Sequence, residues 1–224
     1  EHPNSYRDVA QYHQLDTVHG VTPVSPTASS GAAPQELKKS MVICFKNLTE
    51  GAGATTLSYI AKKQLEKNYK VVAIEVDKHD FMYFDDKNLV STTNSELGNT
   101  IAKYSNMDAI IIDANNSPSA EGLADQNIYL LEPSKIKINK LLSKNPRALI
   151  NAQNKKIVLN KCMLTNQDVS DFEYETKLSV FYKIPALNDQ SNENKKLDEF
   201  LSKLGFYKQT ASDDTRKGVT GLFK

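Results

Sequence analysis

Apolar and polar positions along this chain fall into blocks. "MVICF" (41–45), "KVVAIEVD" (70–77), "DAIIID" (108–113) and "NIYLLEP" (127–133) carry short apolar runs with little alternation. Runs of that length predict strands buried on both faces. "KKIVLNK" (155–161) predicts a fifth strand and "LSVFYKIP" (178–185) a sixth. After the first run the period changes. Leu57, Ile60, Ala61 and Leu65 share one helical face, with Lys62, Lys63 and Glu66 opposite. Further helices are predicted around 95–104, over 134–152 with a break at Pro146, and over 192–206, where Leu197, Phe200, Leu201 and Leu204 form one stripe ended by Gly205. The last helix mixes Asp198 and Glu199 with Lys196 and Lys203 on its polar side. It therefore reads as a cover for the sheet rather than a membrane-docking helix.

Strands alternating with helices predict a parallel sheet with helices on both faces, a three-layer α/β sandwich. The loops after the strands then share one edge, where ligands of such folds bind. The ends of the chain differ. Residues 1–40 include "HGVTPVSPTASSGAAPQ", a mobile linker by composition or the remnant of an upstream region. The domain is expected over 41–206, followed by a polar tail over 207–224.

Composition narrows the function classes. Lys and Arg total 28 against 27 Asp and Glu, a net charge of +1, which offers no dedicated nucleic-acid surface. No run of some 18 apolar residues is present, and a cytoplasmic protein is expected. The cysteines, Cys44 and Cys162, have no metal or redox spacing. Of the four histidines, His2, His13 and His19 fall in the linker and His79 stands apart, so neither a zinc site nor a triad emerges. The "DFMYF" cluster (80–84) is expected to pack beneath a loop.

Candidate chemistry sits between the first strand and the first helix. In "TEGAGATT" (49–56), Gly51 and Gly53 permit close backbone approach, and Thr55 and Thr56 open the helix. Backbone N–H groups at such a junction cradle phosphate. A lysine normally neutralises the outer phosphates, and a hydroxyl holds magnesium. Here the lysine position is Ala54. Asp77, Asp113 and Asn160 fall at the carboxyl ends of other strands, around the same edge.

That ordered set resembles the MinD/ParA group of deviant P-loop ATPases. Their KGGVGKTT loop aligns with "TEGAGATT", Thr49 and Ala54 replacing both lysines. Their DxD appears as Glu75-Val76-Asp77, YDYIIIDTPP as "NMDAIIIDANN", ADxVLLVxxPE as "ADQNIYLLEPS", VVNR/K as "VLNK", and the later IP as Ile184-Pro185. The likeness spans roughly residues 41 to 205. An alanine after the last loop glycine looks most like the CpaE/TadZ branch, localisation factors for pilus or secretion machines that carry a receiver-like domain upstream.

The resemblance implies ATP and magnesium as cofactors. It assigns the cradle to Gly51, Ala52, Gly53, Ala54, Thr55 and Thr56, the adenine edge to Asn160, the metal to Thr55 and Asp113, and the orientation of attacking water to Asp77 in an active enzyme. The lysine position held by Thr49 reaches across a dimer in that family, so fast dimer-triggered hydrolysis is not expected. Asn115-Asn116 replace the switch prolines, and the span from Asp113 to Asp125 leaves little room for the family's helix. The first expectation is thus a degenerate, ATPase-like scaffold or localisation factor that works through protein partners, including a homodimer, and reaches membranes only through them. An active nucleotide-switched ATPase, with Lys46 standing in for the missing charge, and a DNA partition protein are the alternatives.

Overall fold

A computed structural model describes residues 39–190 and 193–207. All but the last two residues of the linker (1–40), and the tail from 208 onward, lie outside the described residues. The two described linker residues already join the domain. Ser40 donates its hydroxyl toward the carbonyls of Ser105 and Met107, and Lys39 pairs with Asp125 at 2.7 Å.

Seven parallel strands form one sheet: β1 (Met41–Asn47), β2 (Val71–Val76), β3 (Leu89–Thr92), β4 (Ala109–Asp113), β5 (Gln126–Leu131), β6 (Lys156–Leu159) and β7 (Val180–Lys183), in the order β3-β2-β4-β1-β5-β6-β7. Among the described residues, seven α-helices accompany them: α1 (Ala54–Leu65), α2 (Leu97–Lys103), α3 (Pro118–Leu123), α4 (Lys135–Lys144), α5 (Ala148–Ala152) and α6 (Asn166–Thr176) lie between strands, and α7 (Lys195–Lys203) follows β7. The expected α/β sandwich is the observed fold.

Handedness decides which face each helix takes. The β1-to-β2 step moves one way along the sheet, and its helix α1 packs on one face with α7. The steps into β4, β5, β6 and β7 move the other way, and α2 to α6 take the opposite face. Right-handed crossovers demand that division. The chain thus leaves β1 toward one face and its neighbours β4 and β5 toward the other, which opens a crevice at their carboxyl ends.

The continuous apolar runs are explained by burial on both sides. Ile110, Ile111 and Ile112 of β4 are each 0% exposed, worth roughly 2 kcal/mol apiece by area. Leu197, Phe200, Leu201 and Leu204 are buried under the sheet, and Gly205, at φ +100°, stops α7. Pro146 separates α4 from α5. Two elements exceed the expectation: the edge strand β3 and the surface helix α6, which has no buried residue. A third corrects it. The span from Asp113 to Asp125 does hold a helix, α3, started by Ser117, whose hydroxyl accepts the Ala120 N–H. Among the described residues no helix is long and apolar enough to cross a membrane.

Candidate functional site

The loop from Asn47 to Gly53 turns the chain out of β1 and into α1. Gly51 (φ +67°) and Gly53 (φ +99°) make the left-handed turns, which L side chains enter at a cost. At Gly53 space is also limiting: a Cβ would lie 2.9 Å from Asn160 Nδ2. The loop is braced from all sides. Ala52 donates its N–H to the Thr49 carbonyl at 3.1 Å, and Ala54 donates to Asn47 Oδ1 at 3.0 Å. Asn160 donates to the Ala52 carbonyl at 2.7 Å, and Lys161 to the Gly51 carbonyl at 3.0 Å. What the bracing leaves open is a set of donors. Among the described residues, no acceptor takes the N–H groups of Gly53, Thr55 and Thr56. Converging free N–H groups at a helix start suit an anion.

The two lysine positions of the resembling loop are filled by small buried residues. Ala54 is 1% exposed. Thr49 is fully buried, and its hydroxyl accepts the Glu132 N–H at 2.9 Å, which fastens the loop to the end of β5. Thr49 therefore has no reach beyond its own domain.

Cations approach the loop from elsewhere. Lys137 of α4 and Lys161 after β6 both pair with Glu132, at 2.6 and 3.6 Å. Burial alone would raise the Glu132 carboxyl pKa, but the hydrogen bond and charge of Lys137, with Lys161, hold it below the usual carboxylate range. Lys137, Lys140 and Lys144 line one wall of a cleft of about 860 Å³ whose other wall includes Thr49, Glu50 and Gly51. Lys144 bonds the exposed Glu50 and keeps its carboxyl low as well. The stretch from Lys135 to Lys161 carries eight cations and no carboxylate. That run, and the i, i+3, i+7 spacing of 137, 140 and 144, are the signals by which the sequence could have shown this wall.

A further cation comes from the turn after β2. Asp77 follows the strand in the left-handed region (φ +53°), a conformation Asp tolerates. The turn aims Lys78 at the start of α1. Its ammonium donates to Thr55 Oγ1 at 2.6 Å and to the Asp113 carboxylate, and lies 3.6 Å from Asp80. Asp113 is 0% exposed, and its other oxygen, Oδ1, has no hydrogen-bond partner among the described residues.

Thr55 and Asp113, the pair implied as metal donors, are thus brought together, and their oxygens suit a hard cation. Yet both already hold an ammonium. A magnesium ion on these donors would compete with Lys78 for the same oxygens, so the residues as arranged do not fit the metal.

The other candidates are engaged in the fold. Asp77 accepts the Asn94 N–H at 3.0 Å and makes no hydrogen bond to Thr55 or Asp113. Asn160 is 6% exposed and spends an amide N–H on the loop. Thr56 is exposed beside a small hollow of about 90 Å³ that Gly53, Asn160 and Leu187 also line. Lys46 points to the face opposite α1, where it pairs with Glu121. Phe81 and Phe84 of the aromatic cluster do pack inward, Phe84 stacking on Tyr59 at 4.1 Å, whereas Met82 and Tyr83 stand 71% and 82% exposed. Among the described residues no group of three or more His, Cys, Asp or Glu is placed to hold a metal.

The sequence matches no family model and no curated protein. Solved structures do match. A ParA family ATPase from Chlorobium tepidum has a TM-score of 0.56 and 12% identity, over 75% of this chain and 99% of that one. Cyanothece McdA, in complex with ATP, gives 0.51 and 12%, over 76% and 98%. At such identities the likeness is one of fold alone, the parallel α/β sandwich.

Proposed function

We propose that this domain is an ATPase-like scaffold that binds ATP without turning it over at an appreciable rate. The reading rests on one observation. The loop presents unengaged N–H groups at Gly53, Thr55 and Thr56, while the positions that bear lysine in the resembling loop are the buried Ala54 and Thr49. Anion binding needs only the donors and nearby positive charge, which Lys137 and Lys161 supply. Phosphoryl transfer needs charge placed against the outer phosphates and an oriented water. Loss of one such electrostatic contact costs about 3 kcal/mol of barrier, more than a hundredfold in rate. Asp77, the residue implied for orienting water, has its carboxylate tied to Asn94. ATP bound to the solved Cyanothece McdA supports the choice of nucleotide.

In this reading the domain acts in the cytoplasm through protein contacts, alone or as a homodimer, and positions a larger assembly such as pilus or secretion machinery. Asn160 would border the base, and Gly51 to Thr56 the phosphates. The test is phosphate release from ATP by the full chain, beside direct ATP titration. Saturable binding with release at the no-protein level is expected. Release abolished by both Thr55→Ala and Asp77→Ala would establish an active ATPase instead.

A further inference from the structure

We infer that Lys78 is a built-in substitute for the divalent cation of this site, so that a nucleoside triphosphate binds here without a metal. The inference rests on the nucleotide-binding reading above and adds how that site handles charge. Three observations carry it. The ammonium bridges the α1 hydroxyl of Thr55 and the β4 carboxylate of Asp113, the two groups that together suit a hard cation. It is held there, since the Lys78 side chain is 17% exposed and Asp113 is 0% exposed. The position is also backbone-encoded, because the left-handed turn at Asp77 sends the next side chain toward α1.

An ordinary structural ion pair explains less. It has no use for Thr55, and it would not leave Asp113 Oδ1 buried and without a partner at the same spot. An ammonium has three N–H donors. Two are spent on Thr55 and Asp113, and because Asp80, at 3.6 Å, lies beyond hydrogen-bond distance, the third can serve an added oxygen. It lies on the hydroxyl of Thr55, a residue whose own N–H is free, and a phosphate oxygen is the natural acceptor there. One positive charge replaces two, and it cannot dissociate. A dication seeking the same oxygens would first have to displace it.

The test uses the full chain. The first arm is Mn²⁺ titration, followed by the spin signal of the free ion. Wild type is expected to bind none at this site, and Lys78→Gln to gain one bound ion by uncovering Thr55 and Asp113. The second arm is ATP titration in excess magnesium and in EDTA. The wild-type dissociation constant is expected to change less than about twofold between the two, whereas Lys78→Gln loses about ten- to a hundredfold in EDTA, the scale of one charge-assisted hydrogen bond, and recovers with magnesium. Wild-type ATP binding that needs magnesium, or a wild-type Mn²⁺ site removed by Asp113→Asn, overturns the inference even if Lys78→Gln fails to fold. Absence of ATP binding under both conditions would instead defeat the nucleotide reading. The Mn²⁺ arm then still decides whether Lys78 fills the cation position.

Discussion

Glu75 and Asp113 end neighbouring strands, pair in register and point to the same face of the sheet, and both are 0% exposed. Their surroundings could hardly differ more. Glu75 is saturated by neutral donors: the N–H groups of Asp80 and Phe81 and the hydroxyl of Ser91. It closes the turn after β2 and holds β3 against it. Asp113 has one cation, no neutral donor and a bare oxygen. A buried carboxylate with a full set of partners is a piece of scaffold. One with a single cationic partner and an open hydrogen-bond position is a piece of a site. Burial alone does not distinguish them, and neither does their shared place at the sheet edge.

The sharpest way to break that contrast is to truncate Glu75. Glu75→Ala leaves two amides and a hydroxyl without their acceptor and is expected to cost roughly 4 kcal/mol. Urea melts read the loss, and the midpoint temperature should fall on the order of 10 °C. Glu75→Gln keeps one acceptor oxygen but turns a donor toward an N–H group, so it should fall between. Neither change should alter the magnesium dependence of ATP binding. A Glu75 variant that changed ion preference would erase the distinction.

Lys78→Gln comes next. It strands a buried carboxylate, which costs about 3 kcal/mol, the low end for a broken buried pair because Lys78 keeps some solvent contact. Adding Asn at position 113 removes the stranded charge. The double variant Lys78→Gln/Asp113→Asn should therefore be more stable than Lys78→Gln alone, with a coupling of about 1–3 kcal/mol in a double-mutant cycle. Additive effects would mean that the two side chains do not share the charge.

A smaller effect is expected at the brace. Asn160→Ala removes the bond to the Ala52 carbonyl, about 1 kcal/mol. Hydrogen exchange should speed up at the bonded Ala52 and Ala54 N–H groups and leave β1 unchanged. Faster exchange throughout the sheet would show that Asn160 holds more than the loop.

How much of this could be read beforehand depends on how far each feature's partners lie along the chain. Strands β1, β2 and β4 announce themselves because burial on both faces leaves no polar position to break the run. Strand β3, "LVST", is a four-residue edge with no fully buried side chain, so its pattern is too short and too mixed to stand out. Helix α6 buries nothing completely and therefore has a faint stripe. Helix α3 is short and starts on Ser117-Pro118, a capping signal outweighed by the shortness of the span. The loop was legible because glycine spacing is local. The partner of Asp113 was not. Lys78 follows Asp77 in sequence and reads as a solvated neighbour. Only the left-handed turn and the sheet order β2-β4-β1 bring it between Thr55 and Asp113. Thr49 shows the same limit, since its bond to Glu132 joins residues 83 apart.

The smallest effect concerns a third carboxylate, which sits between the two extremes. Glu132 is partly exposed, meets Lys137 and Lys161, and fastens β5 to the loop through its own N–H. Its folded pKa lies below the ordinary value of 4.5. A carboxyl group with a depressed folded pKa binds fewer protons folded than unfolded through that interval. Its stabilisation is therefore complete above pH 4.5 and disappears as the pH falls through the lower, folded pKa. The contribution should stay under about 1 kcal/mol, since the lysines are hydrated. Melting curves of wild type and Glu132→Gln should differ at pH 6 and converge once the pH has fallen through the folded pKa. Curves that stay parallel to pH 3 would assign the role of Glu132 to its backbone bond with Thr49 and leave its charge without one, placing it with Glu75 rather than with Asp113.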